Sequence, residues 1–440
     1  MKLSQPYSGN SAFAGELAIG GVSASSLAQE FGTPLFVIDE SDFMERANAW
    51  RTALDKNFGE NAGTVYYAAK AFLNKEVARW VAHLGIGLDA CSAGELAVAT
   101  SVDFPAARIE MHGNNKSKAE IETAISSGVG TIVMDSFHEI ERVARIAARL
   151  GKIQKVYLRI TAGVEAHTHE FISTAHEDQK FGFSIASGAA WKAIEETLTH
   201  KSLNLAGIHS HIGSQIFIND GFEVAATRLI ELLAKYHEHF DLQLPELDLG
   251  GGYGIAYLPG ESALVPDEVM GAIAEVVKSE CEKHGLRIPK ISIEPGRHIV
   301  GPTTTTIYEV GTTKSVELEG GLTRRYISID VGMSDNIRPS LYGAKYTALL
   351  ANRLSESATV DSRIVGKHCE TGDIVIREID LPEDIVPGDL IAVPATGAYG
   401  RSMASNYNHI PRPAVVAVKD GVARLLTRRE SISDLLALDI

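Results

Sequence analysis

Between residues 64 and 302 the chain repeats one pattern. A short continuous apolar run closes on polar or glycine residues, and a stretch of helical period usually follows. The runs are TVYYAAK (64–70), IGLDACS (86–92), IEMHG (109–113), TIVMDS (131–136), VYLRITAG (156–163), LAGIHSHIG (205–213), ELDLGGG (246–252) and KISIEPG (290–296). Runs of this length, apolar on both parities, fit strands buried on both faces of a parallel sheet. The intervening stretches carry helix punctuation. SFHEIERVARIAARLG opens on a serine cap and closes on glycine, and Asn74 opens a pattern that puts Val77, Trp80, Val81 and Leu84 on one face. FEVAATRLIELLAKYHEHF and PDEVMGAIAEVVKSECEKHG are longer amphipathic stretches. Eight strands alternating with helices over about 240 residues predict a (β/α)₈ barrel, since the alternative, a doubly wound open sheet, usually has fewer strands.

After Pro302 the pattern changes. RYISIDVG, VGKHCETGDIVI, IVPGDLIAVPAT and RPAVVAVKDGVARLLTR are short strand patterns broken by Gly, Pro and Asp-Gly turns, without long helices between them. The N-terminal segment ELAIGGVSA…TPLFVIDES also reads as strand. The expected architecture is therefore a barrel over 46–302 and a mainly β domain, sandwich- or barrel-like, made from 1–45 and 303–440.

Composition narrows the function classes. The 440 residues carry a formal net charge of −15, which argues against a broad nucleic-acid surface. Three scattered cysteines, Cys91, Cys281 and Cys369, form neither a disulfide framework nor a CxxC motif. No run of about 18 apolar residues is present and the N-terminal stretch lacks an apolar signal core, so a reducing cytoplasm is the expected compartment.

In (β/α)₈ enzymes the chemistry sits at the C-terminal ends of the strands. Lys70 ends the first run, Asp89 and Cys91 the second, and His112 and Asn114 the third. His209 and His211 end the sixth, Gly250, Gly251 and Gly252 the seventh, and Glu294 and Arg297 the eighth. Each has a bland explanation alone. Lys70 can snorkel to water, His211 can be a structural histidine, the glycines can serve a tight turn, and Glu294 and Arg297 can pair at a surface. Their convergence on one rim fits pyridoxal phosphate chemistry. A lysine amine forms a Schiff base with the aldehyde, glycine amides approach the phosphate, Glu294 can keep the pyridine nitrogen protonated, and His211 can stack on the ring.

The motifs YAAKAF, HSHIGSQI, LDLGGGYGI, EPGRHIVGP, GMSDNIRPSLYGA, KHCETGDI and GAYGRSMASNYN resemble, in order and spacing, the diaminopimelate decarboxylase family, from about residue 25 to the C-terminus. The resemblance implies a pyridoxal-phosphate barrel enzyme that converts meso-diaminopimelate to L-lysine and carbon dioxide, the last step of lysine biosynthesis. It implies Lys70 as the Schiff-base lysine, Glu294 as partner of the pyridine nitrogen and His211 as the stacking residue. Gly251, Gly252 and the turn Glu294–Pro295–Gly296–Arg297 match phosphate-loop backbone, with Ser214 and Tyr399 as phosphate contacts. Arg297, Arg338, Tyr342 and Tyr399 match substrate binders, and Glu370 matches the residue for a substrate amino group. Cys369 matches a proton donor that, with Glu370, enters the site from the neighbouring chain of a homodimer.

EAHTHEFISTAHEDQK holds His167, His169, Glu170 and His176, but the spacing fits no structural zinc pattern. The resemblance makes it a specificity loop, with Arg159 as a support, and no metal is expected. His298 stands where the family more often has a small or apolar residue. Among fold-mates, an alanine racemase sets an arginine against the pyridine nitrogen, whereas Glu294 favours decarboxylation. Ornithine and arginine decarboxylases lose their substrate's only carboxylate and have no use for the Arg297/Arg338 pair. A single-barrel cofactor carrier leaves the residues after Pro302 unexplained, and a cofactor-free Schiff-base aldolase leaves Glu294 and the glycine triplet unexplained.

Overall fold

The computed structural model describes residues 1–3, 5–164 and 180–440. The segment read as a specificity loop lies, but for Lys180, outside the described residues, its histidines included. The chain forms two compact units: Ala47–Gly254 with Ala263–Gly296, and Met1–Arg46 with Ile255–Ser262 and Arg297–Ile440.

In the first unit the eight predicted strands are β1 (Gly63–Ala68), β2 (Gly87–Ala90), β3 (Ile109–Met111), β4 (Thr131–Met134), β5 (Gln154–Thr161), β6 (Leu203–His209), β7 (Glu246–Asp248) and β8 (Lys290–Ile293). Each pairs in parallel with its successor, and β8 pairs with β1, so the sheet closes on itself. A two-residue strand, Phe183–Ser184, adds to the edge of β5. Every residue of β2, β3 and β4 is buried, as continuous apolar runs require. The strands stop earlier than the runs suggest. β1 ends at Ala68, so Lys70 stands in the loop beyond it.

The helices start where their caps dictate. Asn74 accepts the N–H of Val77 at 2.9 Å to open Lys75–His83, whose Val77, Trp80 and Val81 face inward. Ser117 and Glu120 form a reciprocal capping box at the head of Lys118–Ser127, which Gly128 ends in the left-handed region. Ser136 occupies the cap position of Phe137–Arg149, but its side chain makes no capping bond. Glu139 takes over one donor there by accepting the N–H of Asp135 at 2.8 Å.

The second unit is mainly β, and the N-terminal strand joins it as expected. Leu35–Asp39 lies between Thr304–Glu317, antiparallel, and Ala414–Lys419, parallel. The sheet runs on through Thr323–Ile329, Thr359–Val365 and Ile374–Pro382 on one side and Val422–Thr427 on the other. The 14-residue strand Thr304–Glu317 also pairs with Leu390–Val393, and a register shift at Val310/Thr312 lets it serve both groupings. Two apolar clusters fill this unit, one around Tyr308, Ile327 and Ile391, the other around Leu35, Val37 and Val416. No helix among the described residues is long and apolar enough to cross a membrane.

Candidate active site

The barrel unit gathers charged residues in the last residues of its strands and in the loops that follow them. Lys70 Nζ lies 3.7 Å from Asp89 Oδ2, and its side chain is 42% exposed. Ala69 and Ala71 on either side are buried. Glu294, just past β8, is buried with Oε1 3.1 Å from His112 Nε2 and 3.2 Å from His209 Nε2. His112 Nε2 is also 3.8 Å from Asp89 and 3.7 Å from Glu110. Burial alone raises a carboxyl pKa, but the neighbouring imidazoles, the His112 charge first, outweigh this and hold Glu294 well below its ordinary range. Burial disfavours the charged form of His112, yet Asp89 and Glu294 raise it well above its ordinary range. Burial lowers His209 to about 4, so that ring is neutral. The cluster thus pairs an ionised Glu294 with an imidazolium on His112. Neither close contact has hydrogen-bond geometry, and Glu294 Oε1 is a buried acceptor without a hydrogen-bond donor among the described residues.

His211 follows β6. Its Nδ1 accepts the N–H of Gly251 at 3.2 Å, which puts the ring proton on Nε2. Burial and then the Lys70 charge hold this imidazole well below its ordinary range, leaving a neutral ring. The glycine triplet has a reason beyond phosphate approach. A Cβ on Gly250 would stand 2.5 Å from Ser210 O, one on Gly251 2.3 Å from Glu294 O, and one on Gly252 2.4 Å from Gly213 O. Only glycine lets this loop lie against the loop that carries His211 and Ser214 and against the end of β8. Gly296 is confined likewise, its Cβ position 2.7 Å from that of Ala68, which closes the Glu294–Pro295–Gly296 turn against the end of β1. Arg159 lies 3.8 Å from Asp135 and over the Phe181 ring at 4.3 Å.

The second unit gathers a different set. Arg297 and Arg338 both donate to Tyr257 Oη, at 2.5 and 2.8 Å, and Arg338 also donates to Tyr346 Oη at 2.6 Å. The Arg297 guanidinium sits over the Tyr399 ring at 4.7 Å. Tyr399 itself has φ 61°, a left-handed conformation that a bulky non-glycine residue holds only when its surroundings impose it. Tyr342, at the end of the short helix Arg338–Tyr342, is 64% exposed. Cys369 is exposed, its N–H bonded to Asn408 Oδ1 at 3.2 Å, and Glu370 is exposed with Oε1 accepting the N–H of Gly372 at 3.0 Å. His298 is buried.

The structure therefore brings together Lys70, His211, Gly251, Gly252 and Glu294 in one unit, and Arg297, Arg338 and Tyr399 in the other. Tyr342, Cys369 and Glu370 stand exposed. Sequence reasoning placed Asp89, His112 and His209 at the rim without giving them a role. It missed Tyr257 and Tyr346 altogether, because aromatic residues at these spacings read as core.

Comparison with known proteins decides the family. Residues 40–301 match the family described as pyridoxal-dependent decarboxylase, pyridoxal binding domain. The diaminopimelate decarboxylase of Mycobacterium tuberculosis is 53% identical over 97% of this chain and 95% of its own length. The chain belongs to the diaminopimelate decarboxylase family. Solved structures of diaminopimelate decarboxylases agree. That from M. jannaschii in co-complex with L-lysine covers 98% of both chains at 31% identity and a TM-score of 0.91. That from Helicobacter pylori complexed with L-lysine covers 94% of this chain and 98% of its own at 30% identity and a TM-score of 0.82.

Pyridoxal phosphate, the cofactor of diaminopimelate decarboxylases, fits the barrel unit. The buried Glu294 oxygen offers an acceptor for a ring N–H, Lys70 offers a partly exposed amine, and neutral His211 offers an uncharged ring face. Donor atoms of His112, His209 and Glu294 also lie within 4.8 Å of one another, a spacing a cation could use.

Proposed function

We propose that the protein decarboxylates meso-diaminopimelate to L-lysine and carbon dioxide with pyridoxal phosphate as cofactor. The observation that carries this reading is the Arg297/Arg338 pair, two guanidiniums on one phenol oxygen in a chain whose barrel holds the Lys70/Glu294 set. A decarboxylase acting on a substrate with one carboxylate has nothing left for such a pair to hold. Arginine forks are the side chains best matched to a carboxylate that is kept.

In this reading Lys70 supplies the amine that attaches the cofactor. The cofactor supplies an electron sink for the pair released when the carbon–carboxylate bond breaks. The Glu294 carboxylate accepts the ring N–H and keeps that sink strong. His211 stacks against the ring face. Gly251, Gly252 and Ser214, the turn through Pro295, Gly296 and Arg297, and the Tyr399 hydroxyl hold the phosphate. Arg297, Arg338 and Tyr342 hold substrate carboxylate, and Glu370 holds an amino group. Cys369 of the partner subunit donates its Sγ proton to the α-carbon that has lost carbon dioxide. The exposure of Cys369 and Glu370 supports their delivery to a second chain in a homodimer. In domain terms, 46–302 binds the cofactor, and 1–45 with 303–440 completes the substrate site and the dimer interface. Free thiols at all three cysteines suit a reducing cytoplasm.

The test is direct. The purified protein is incubated with pyridoxal phosphate, its visible spectrum recorded, and meso-diaminopimelate added while lysine and carbon dioxide are measured. Equimolar release of both is expected. Borohydride reduction should fix the cofactor's mass on the peptide containing Lys70 and leave Lys70→Ala unlabelled. Labelling of another lysine, or no lysine formed, sinks the reading.

A further inference from the structure

Tyr257 joins the two arginines. A phenol oxygen has two lone pairs, and the N–H groups of Arg297 and Arg338 take both. The two donating nitrogens are thereby no further apart than two short hydrogen bonds laid end to end. Like charges at that distance repel, and two long, rotatable stems would otherwise swing their guanidiniums apart. The bridge is itself braced. Tyr257 and Tyr346 are buried, and their rings meet edge to face with centroids 5.2 Å apart. The Arg338 guanidinium lies 4.9 Å from the Tyr257 ring and 5.8 Å from the Tyr346 ring. Glu261 Oε2 accepts the N–H groups of Tyr257 and Leu258 at 2.8 and 3.0 Å, which closes the turn that carries the bridging phenol.

Two guanidiniums held this close cannot each take one end of a seven-carbon diacid. They can converge on one carboxylate. We infer that Tyr257 is a positioning residue that makes Arg297 and Arg338 a single clamp for the carboxylate the reaction retains. The inference rests on the reading that these arginines hold substrate. Tyr257 touches neither the reacting carbon nor the cofactor in this role, so its loss weakens binding and spares the chemical step. Tyr346 is a second tether, on Arg338 alone.

The experiment compares the holoenzyme with its Tyr257→Phe variant, which keeps the ring and its packing. The KM for meso-diaminopimelate and the inhibition constant of L-lysine, which keeps the retained carboxylate, should both rise about 10- to 100-fold, the worth of a hydrogen bond to a charged group. The kcat and the visible spectrum should hold to within about 3-fold and unchanged, respectively. Inhibition by 1,5-diaminopentane, which is lysine without its carboxylate, should change by less than about 3-fold. Tyr346→Phe should move the same two constants by less. Glu261→Gln, which loosens the turn without touching the bridge, should move them in the same direction and serves if Tyr257→Phe does not fold. Unchanged KM and lysine inhibition in Tyr257→Phe overturn the inference, as does equal weakening of lysine and diaminopentane. A wild-type protein that forms no lysine overturns the proposed function instead.

Discussion

The two units handle buried charge in opposite ways. In the barrel unit His112, His209 and Glu294 are each less than a tenth exposed and set their charges against one another: one imidazolium, one neutral ring and one ionised carboxylate. In the second unit Arg338 is buried just as deeply, but its partners are the neutral phenols of Tyr257 and Tyr346, and no ion pair to it is present among the described residues. A compensated cluster is a fixed piece of machinery, because its charge states are set before anything binds. An uncompensated buried cation is a site waiting for an anion. On the proposed function, the difference separates a cluster that serves the cofactor from an arginine pair that serves recognition, and that separation can be broken by mutation.

The largest expected effect is in the chemical cluster. Glu294→Gln keeps shape and hydrogen-bonding capacity but removes the charge that, on the proposed function, holds the cofactor's ring nitrogen protonated. We expect kcat to fall about 10²- to 10³-fold, the usual loss when one preorganised electrostatic contact is removed, with KM changed little. Steady-state kinetics on the cofactor-loaded enzyme measure both. A change in KM alone would mean that Glu294 belongs to recognition and that the division between the units is wrong. Arg338→Lys is the mirror experiment. Lysine keeps the charge but cannot fork between Tyr257, Tyr346 and a carboxylate. Here KM should rise about 10- to 100-fold while kcat moves by less than about 3-fold. A fall in kcat as large as that for Glu294→Gln would break the comparison from the other side.

The same contrast explains what was legible beforehand. The barrel was readable because strands buried on both faces leave continuous apolar runs, and because a helix cap such as Asn74 works through its immediate neighbours. The strand ends were misjudged for a related reason. Ala69 still gives its N–H to Asp89 O at 2.9 Å, but the chain then turns, with Ala71 N–H bonded back to Ala68 O at 3.1 Å, so the apolar run to Lys70 outlasts the strand, which ends at Ala68. His112 was visible as an odd residue at a strand end. Its contact with Glu294 was not, because β3 and β8 are three places apart in the sheet and meet only once the barrel closes. The Tyr257 bridge was out of reach altogether. It joins residues 81 apart, and each tyrosine alone is an ordinary buried aromatic. Composition and period report local chemistry, and both clusters are products of long-range closure.

The smallest expected effects are on stability, and they sharpen the comparison through pH. Among the described residues, one buried group in each unit that burial drives toward its neutral form makes the contrast, and the two titrate in opposite senses. In the barrel unit burial lowers His209 from its ordinary 6.5 to about 4. Between those values the unfolded chain binds a proton that the native state refuses. The stability is therefore present above pH 6.5 and lost as pH falls toward 4, on the order of 3 kcal/mol. In the second unit Asp335 is fully buried, with Oδ1 accepting the N–H of Gly332 at 3.2 Å. Burial pushes it from 3.8 up to about 7. Here the native state keeps a proton that the unfolded chain has lost, so stability is present below pH 3.8 and is lost as pH rises through 7, on the order of 4 kcal/mol. His209→Gln should flatten the acid-side loss, and Asp335→Asn the loss toward neutral pH. The units can be followed separately in urea, because all three tryptophans, Trp50, Trp80 and Trp191, belong to the barrel unit. Tryptophan fluorescence should register the His209 substitution between pH 4 and 6.5. Far-ultraviolet circular dichroism, which also sees the β unit, should register the Asp335 substitution between pH 4 and 7. If Asp335→Asn leaves the profile unchanged, the second unit is not storing a proton at this carboxyl, and its buried charge is settled by the same kind of compensation as the barrel's.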